Sequence, residues 1–567
     1  MEGAVVTPDT GPVVPSAERP GGPLDTARGA LRFARRVLLA FCFLAVVYGS
    51  ALHIPYAHHD QLRYFGEVAK GSCRNDPQHG HLLTVGRPVA AYLECLVFRH
   101  AERLEDLFVY RWLTVGLLAV ALVVFARALA AGGFEPRESL LLAAALATLP
   151  GVENAVYMTN LANALAILLA ALAALCFQAA HPPVVAGERR LSRRWIAATL
   201  VTLALALCTY QPFAFLFFLP LIGRIPRLAK PGGERASLHV RASVALLAVT
   251  SAVYVLWIRF FPLAKARVPQ AYRFDVAAPD LAEKLARLFT EVIPRTFTFW
   301  AVTAPAWVGW VVAAALAAAL LVAPPFGACR GAGDTLRARL ARLAVAAVLV
   351  LSGLTIWLVS AFSEVLERLL LSSMAAALLF AHLVLRDLLA CFAPSRIWRS
   401  RLGLWAAGLL AAVGALQISC LHDRNVWNAA MEAKFVEAQL AYRLRPATRR
   451  VHLIRPLESG YGYDGYPTVG DEFNRNSADY PWHHAELVRV GLLRLMPRDR
   501  IQVLRCDLPQ AACLALERPG VLVVTASDPM TPIYPSPGLV VIDMNILLLT
   551  SGLYRPAEGA PPPTRER

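Results

Sequence analysis

The stretch Tyr56-Ala57-His58-His59-Asp60-Gln61-Leu62-Arg63-Tyr64-Phe65 sets two imidazoles, a carboxylate and a guanidinium side by side, directly after an apolar run at 37–54. Ionisable groups where a membrane helix meets water are expensive to keep there, so they mark a functional site. Asp60 has the chemistry of a general base toward an acceptor hydroxyl. The same segment supplies His59, Arg63, His79, His81 and, within Val85-Gly86-Arg87-Pro88, Arg87. Guanidinium groups pair with phosphate and offset the charge that builds on it as its bond to a sugar carbon breaks. This set suits transfer from a lipid-linked phospho-sugar. Two later stretches join the candidates: Thr209-Tyr210-Gln211-Pro212, and Glu364, Glu367 and Arg368 between two apolar runs. His-His-Asp could itself help hold a divalent metal ion. No further ligand stands at a fixed spacing, and the 10 cysteines contain no CxxC, so no metal ligands are assigned and cofactor use is left open.

The elements that must position these residues are membrane helices. Apolar residues make up 57% of the chain and charged ones 17%, and apolar runs of about 18 to 25 residues recur, the length that crosses a bilayer. The net charge of +16 could suggest nucleic acid, but the arginines sit in short loops between apolar runs. There they act as topology signals facing an anionic leaflet, and nucleic acid is excluded as a partner. Abundant Ala, Arg, Pro and Leu with little Lys points to a bacterium with a GC-rich genome, hence the inner (plasma) membrane.

The expected fold is a membrane all-α protein, a polytopic helical bundle of about eleven crossings with a small C-terminal periplasmic α/β domain. Residues 1–34 form a disordered cytoplasmic tail, too poor in apolar periodicity to fold, and Arg32, Arg35 and Arg36 hold it inside. The transmembrane domain covers 35–421, with a periplasmic loop at 57–107. Its crossings fall near 37–54, 108–129, 139–150, 157–179, 243–262, 299–322, 343–362, 366–385 and 402–421. The stretch 195–222 is long for one helix and short for two, with Pro212 and Pro220 inside it and arginines on both sides. It reads as two short pieces turning near Tyr210-Gln211, and broken backbone at membrane depth is tolerated only where it is buried or lines a cavity. Residues 422–555 form the soluble domain, with a helix at 427–444, strands near 451–454, 501–504, 521–525 and 539–544, and a helix at 484–496. Cys506 with Cys513, and Cys73 with Cys95, are candidate disulfides in an oxidising compartment. Residues 556–567 form a disordered tail.

An acid just after the first crossing, a Gly-Arg-Pro in the same loop, Pro-interrupted third and fourth helices, a Tyr-Gln pair opening a later helix and a C-terminal soluble domain together resemble GT-C superfamily glycosyltransferases. More narrowly, the chain is similar to bacterial glucosyltransferases that modify O-antigen in lipopolysaccharide from undecaprenyl-phosphate glucose. The resemblance covers about 37–421. It implies a polyprenyl-phosphate sugar donor, a glycan or lipid acceptor in the cell envelope, inversion at the anomeric carbon and a periplasmic site. It casts Asp60 as the catalytic base, Arg87 beside the phosphate, and Tyr210 and Gln211 lining the site. The family often has two adjacent acids, whereas here His58 and His59 precede Asp60. A transporter or flippase would also be polytopic with charges in the membrane, but no inverted repeat is visible. A non-catalytic envelope assembly protein would not depend on Asp60.

Overall fold

The computed structural model describes residues 23–57, 61, 77–84, 86–101, 103–180, 192–225, 241–242, 244–246, 248–250, 252, 281–301, 304–322, 336–355, 357, 367–392, 396–454, 484–495, 502–506, 510–527 and 536–546. Helix α1 (Pro23–Val47) and the short α2 (Gly49–His53) occupy the first apolar run. The tail expected to reach residue 34 is thus helical from Pro23. Proline at a helix start loses no hydrogen bond, and the Ala, Leu and Arg beyond it are good helix formers. The run expected at 37–54 is broken at Tyr48, whose hydroxyl donates to the Ala147 carbonyl at 2.7 Å.

Helices α3 (Pro77–Thr84) and α4 (Pro88–His100) lead to α5 (Leu107–Gly132), which stops at Gly133, where φ is +118° and the left-handed conformation favours glycine. Helix α6 (Pro136–Ala147) opens with a reciprocal capping box between Glu135 and Glu138. Pro150 cannot extend it, and α7 (Pro150–Tyr157) departs at 62°. Asn160 then caps α8 (Leu161–Ala179), its Oδ1 accepting from the Asn163 N–H at 2.8 Å. Helix α9 (Arg193–Thr209) ends at an extended Tyr210, and α10 (Gln211–Ile222) comes next, tightened to a 3₁₀ turn over Phe215–Phe218 between its two prolines.

Beyond lie α11 (Leu281–Arg287), a π-turn (Leu288–Val292), α12 (Ile293–Thr298), α13 (Ala306–Val322), α14 (Leu336–Ser352), α15 (Glu367–Phe392) and α16 (Arg396–Arg443). Helices α5, α8 and α9 pack in sequence, with α1, α6, α15 and α16 around them. Their shared core runs from Leu44 through Leu129, Phe177 and Phe213 to Leu378.

Four helices are long and apolar enough to cross a membrane, Leu104–Gly132, Leu161–Ala179, Arg368–Leu389 and Arg401–Arg443, or five if the bent α6–α7 pair is one span. Eleven crossings are not found among the described residues. Gln211–Ile222, Ala306–Leu321 and Arg342–Ser352 are apolar but shorter than a bilayer needs, and most of 243–262 lies outside the described residues.

The boundary expected at residue 421 falls inside α16. No Gly or Pro occurs between Gly414 and Arg443, so nothing interrupts that helix. After it come β1 (Arg450–Ile454), α17 (His484–Leu495), β2 (Gln502–Arg505), α18 (Gln510–Leu514), β3 (Val521–Ser527) and β4 (Leu539–Asp543). The strands form one parallel sheet in the order β2-β3-β1-β4, with Val451 opposite Val524 and Val540. Val451, Leu453, Leu522, Val524 and Ile542 pack against Val436 and Leu440 of α16, Cys95 and Phe98 of α4, and Leu107 of α5, in a second core. On the other face, a Cys506–Cys513 disulfide packs against Val521 and Val523. Cys95 is also disulfide-bonded, while Cys73 lies outside the described residues.

Candidate functional site

A turn between α7 and α8 gathers the site. Thr159 there has φ +50°, a left-handed conformation unusual for a β-branched residue and one that persists only where its surroundings hold it. What holds it is Arg111, one turn into α5 and 0% exposed. Its Nε donates to Thr159 Oγ1 at 3.0 Å, its Nη1 to the Ala51 and Ile54 carbonyls at 3.2 and 3.1 Å, and its Nη2 to the Tyr56 carbonyl. The Tyr56 ring lies 3.7 Å below the guanidinium carbon, and the Tyr56 hydroxyl donates to the Tyr157 carbonyl at 2.9 Å. A buried cation is tolerable only when its N–H groups are matched in this way. The result fixes residues 51–57, the run-in to His58-His59-Asp60.

The same turn also holds Gln61 and Arg368. The Gln61 amide donates to the Met158 carbonyl, and Arg368 Nη1 lies 3.4 Å from Met158 Sδ. One helical turn on from Arg368, Ser372 donates to the Pro212 carbonyl at 2.7 Å. Pro212 is preceded by Gln211, whose Oε1 accepts from Arg87 Nε at 2.8 Å, while the Arg87 guanidinium lies 4.4 Å from the centre of the Tyr210 ring. Arg87 and the adjacent pair Tyr210-Gln211, more than 120 residues away in the chain, therefore meet. Arg368 and Gln61 share the adjoining turn. His59, Asp60, Arg63 and Glu364 lie outside the described residues, as do His58 and the His81 side chain. His79 is buried, with Nδ1 3.1 Å from the Ala91 carbonyl and its ring edge-on to Tyr92, so it serves packing within the loop.

Beneath these groups, Leu371, Ala375, Leu216, Val152, Leu118 and Phe125 line a cavity of about 40 Å³. A sugar needs more room and polar partners, so this cavity takes only an apolar group. Behind the turn, Glu153 Oε1 accepts from His422 Nδ1 at 2.9 Å and from the Asn425 amide at 3.4 Å, all three side chains buried. The Tyr157 hydroxyl donates to the Asn425 carbonyl at 3.3 Å. A further cluster, buried Glu138 and His382 with half-buried Arg386, sits at the start of α6. Among the described residues no group of three or more His, Cys, Asp or Glu side chains could hold a metal ion.

No family model, curated protein or solved structure matches this chain. The site stands on its own geometry. Reading by sequence passed over Arg111, although a basic residue one turn inside a long apolar run is the signal that could have found it. Glu153, His422 and Asn425 were passed over for a different reason: 269 residues separate Glu153 from its histidine, and no spacing connects them.

Proposed function

We propose that the chain is an integral membrane glycosyltransferase that moves a hexose from a polyprenyl-phosphate donor to a cell-envelope glycan or lipid acceptor, on the side of the membrane that carries the α/β domain. The observation that carries this reading is the convergence of Arg87 and Arg368, from distant segments, on the two backbone breaks at 158–160 and 210–212, beside the segment that leads into Asp60. The breaks bring side chains from distant segments to one place, and the guanidinium groups supply charge, where a phosphate must be held at the membrane surface. Asp60 takes the proton from the acceptor hydroxyl, the acceptor oxygen bonds to the anomeric carbon, and the electrons of the broken C–O bond go to the departing polyprenyl phosphate. Arg87 and Arg368 stabilise that charge. The Cys506–Cys513 disulfide and the disulfide-bonded Cys95 support an oxidising compartment on this side.

The test uses inverted and right-side-out vesicles supplied with radiolabelled polyprenyl-phosphate hexose, comparing wild type with Asp60→Asn and counting label moved to glycan. Transfer in the wild type and its loss in an equally abundant Asp60→Asn protein is the expected result. Transfer at the wild-type rate in the variant would overturn the role of Asp60. A detergent-stable protein that binds no polyprenyl phosphate would point to a transporter or an assembly protein instead.

A further inference from the structure

Helix α4 begins at the site, with Arg87 immediately before its first residue, and it is enclosed on two sides. Ala90, Ala91 and Glu94 are buried as it packs on the ends of α8 and α9, and Cys95, Val97 and Phe98 are buried against the core of the α/β domain. Its remaining side faces outward between bundle and domain. There Tyr92 is 65% exposed and Leu96 54%, with Arg99 and His100 exposed beyond them. Positions 92, 96 and 99 succeed one another at helical spacing along a single stripe. Exposed Arg103 comes next, its backbone N–H donating to half-buried Asp106 at 2.7 Å beside exposed Glu105. After these acids come Val109, Trp112 and Leu113, the outward apolar side chains of the first turns of the membrane-length helix α5, so that three basic groups face two acids at this end. An apolar stripe that ends in cationic groups and continues into a lipid-facing helix is the pattern of a helix lying in a bilayer interface.

We propose that the Tyr92–Leu96–Arg99 stripe is seated in the headgroup–acyl boundary of the leaflet on the α/β-domain side. Tyr92 and Leu96 lie among the upper acyl carbons, and Arg99, His100 and Arg103 pair with the phosphates of anionic lipid. Helix α4 is then a lip at the membrane surface, and a lipid phosphate passing along it arrives at Arg87. Only that last consequence rests on the transferase reading; the seating does not.

The test places p-benzoyl-phenylalanine at position 92, 96, 97 or 113 of the full chain, reconstituted in vesicles of equal phosphatidylethanolamine and phosphatidylglycerol, both radiolabelled and separable. On irradiation, positions 92 and 96 are expected to form lipid adducts at yields comparable to position 113, and buried position 97 none. Adducts should favour phosphatidylglycerol, and the preference should fall about fivefold for each of Arg99→Glu and Arg103→Glu. Lipid adducts at 113 without any at 92 or 96, or adducts there to protein only, would overturn the proposal. Cross-linking needs no turnover, so a chain that moves no sugar but cross-links at 96 retains the seating and loses the transferase reading, and the reverse result separates them the other way.

Discussion

Replacing Arg111 with Met keeps the length and apolar stem of the side chain and deletes every hydrogen bond that ties residues 51–57 to the α7–α8 turn through this guanidinium. Four acceptors lose their donor: the carbonyls of Ala51, Ile54 and Tyr56, and Thr159 Oγ1. A buried polar group left unpaired costs about 1–3 kcal/mol, so the gross loss is on the order of 4–12 kcal/mol. Part is returned because a guanidinium no longer has to be desolvated, and breaking comparable buried polar arrangements costs about 3–5 kcal/mol net. Ala57, buried at 3% exposure, reports the loss locally. An Ala57→Cys protein should react slowly with a membrane-impermeant maleimide, and adding Arg111→Met should speed that labelling by about two to three and a half factors of ten, since about 1.4 kcal/mol is a factor of ten. Labelling of the parent, which has its own free cysteines, is subtracted. A change of less than threefold in a folded, monodisperse protein would refute the assignment of Arg111 as the anchor of this segment.

Other outcomes rest on single contacts. A Cβ on Gly132 would stand 2.1 Å from the Pro220 carbonyl oxygen, so Gly132→Ala should cost about 1–3 kcal/mol, seen as a lower midpoint in thermal unfolding in detergent. Converting Cys506 and Cys513 to Ser removes the constraint of a short disulfide loop and should destabilise the α/β domain by about 2 kcal/mol, read by proteolysis under non-reducing conditions. Burial, reinforced by the Arg450 charge, holds the His452 imidazole below its ordinary 6.5, with Thr525 Oγ1 and Ser527 Oγ at its two nitrogens. The unfolded chain therefore takes up the proton first, and domain stability should decline as pH falls below about 6.5 and level off beneath the folded value. His452→Asn should flatten that decline in urea midpoints measured from pH 7.5 to 5.

What could be read from residue order was whatever local rules govern. The break at Tyr210-Gln211 comes from Pro212 and from arginines on both sides, and the strands near 451, 502, 521 and 539 come from β-branched runs between Pro, Gly and Asp. The meeting of Arg87 with Tyr210 and Gln211 was legible only as membership of one site; the hydrogen bond and the ring contact are tertiary facts. Illegible were the features that depend on distant partners. The split of the first apolar run at Tyr48 comes from a bond to Ala147, and the 62° bend between α6 and α7 is set by packing beyond what Pro150 alone dictates. Thr159 in a left-handed turn would be predicted by no propensity, since its support comes from Arg111, 48 residues earlier.

The unbroken run from Arg396 to Arg443 has a mechanical meaning. Its 48 residues, at about 1.5 Å each, make a rod of roughly 72 Å, more than twice the hydrocarbon thickness of a bilayer. Its far end is bolted to the sheet through Val436 and Leu440, so the rod works as a tiller. A tilt of about 5° in the embedded half, such as a thinner bilayer would impose, swings the end of a free arm of about 33 Å through roughly 3 Å. With the apolar part of the rod set in a bilayer, the sheet at its far end would move with the thickness of that bilayer.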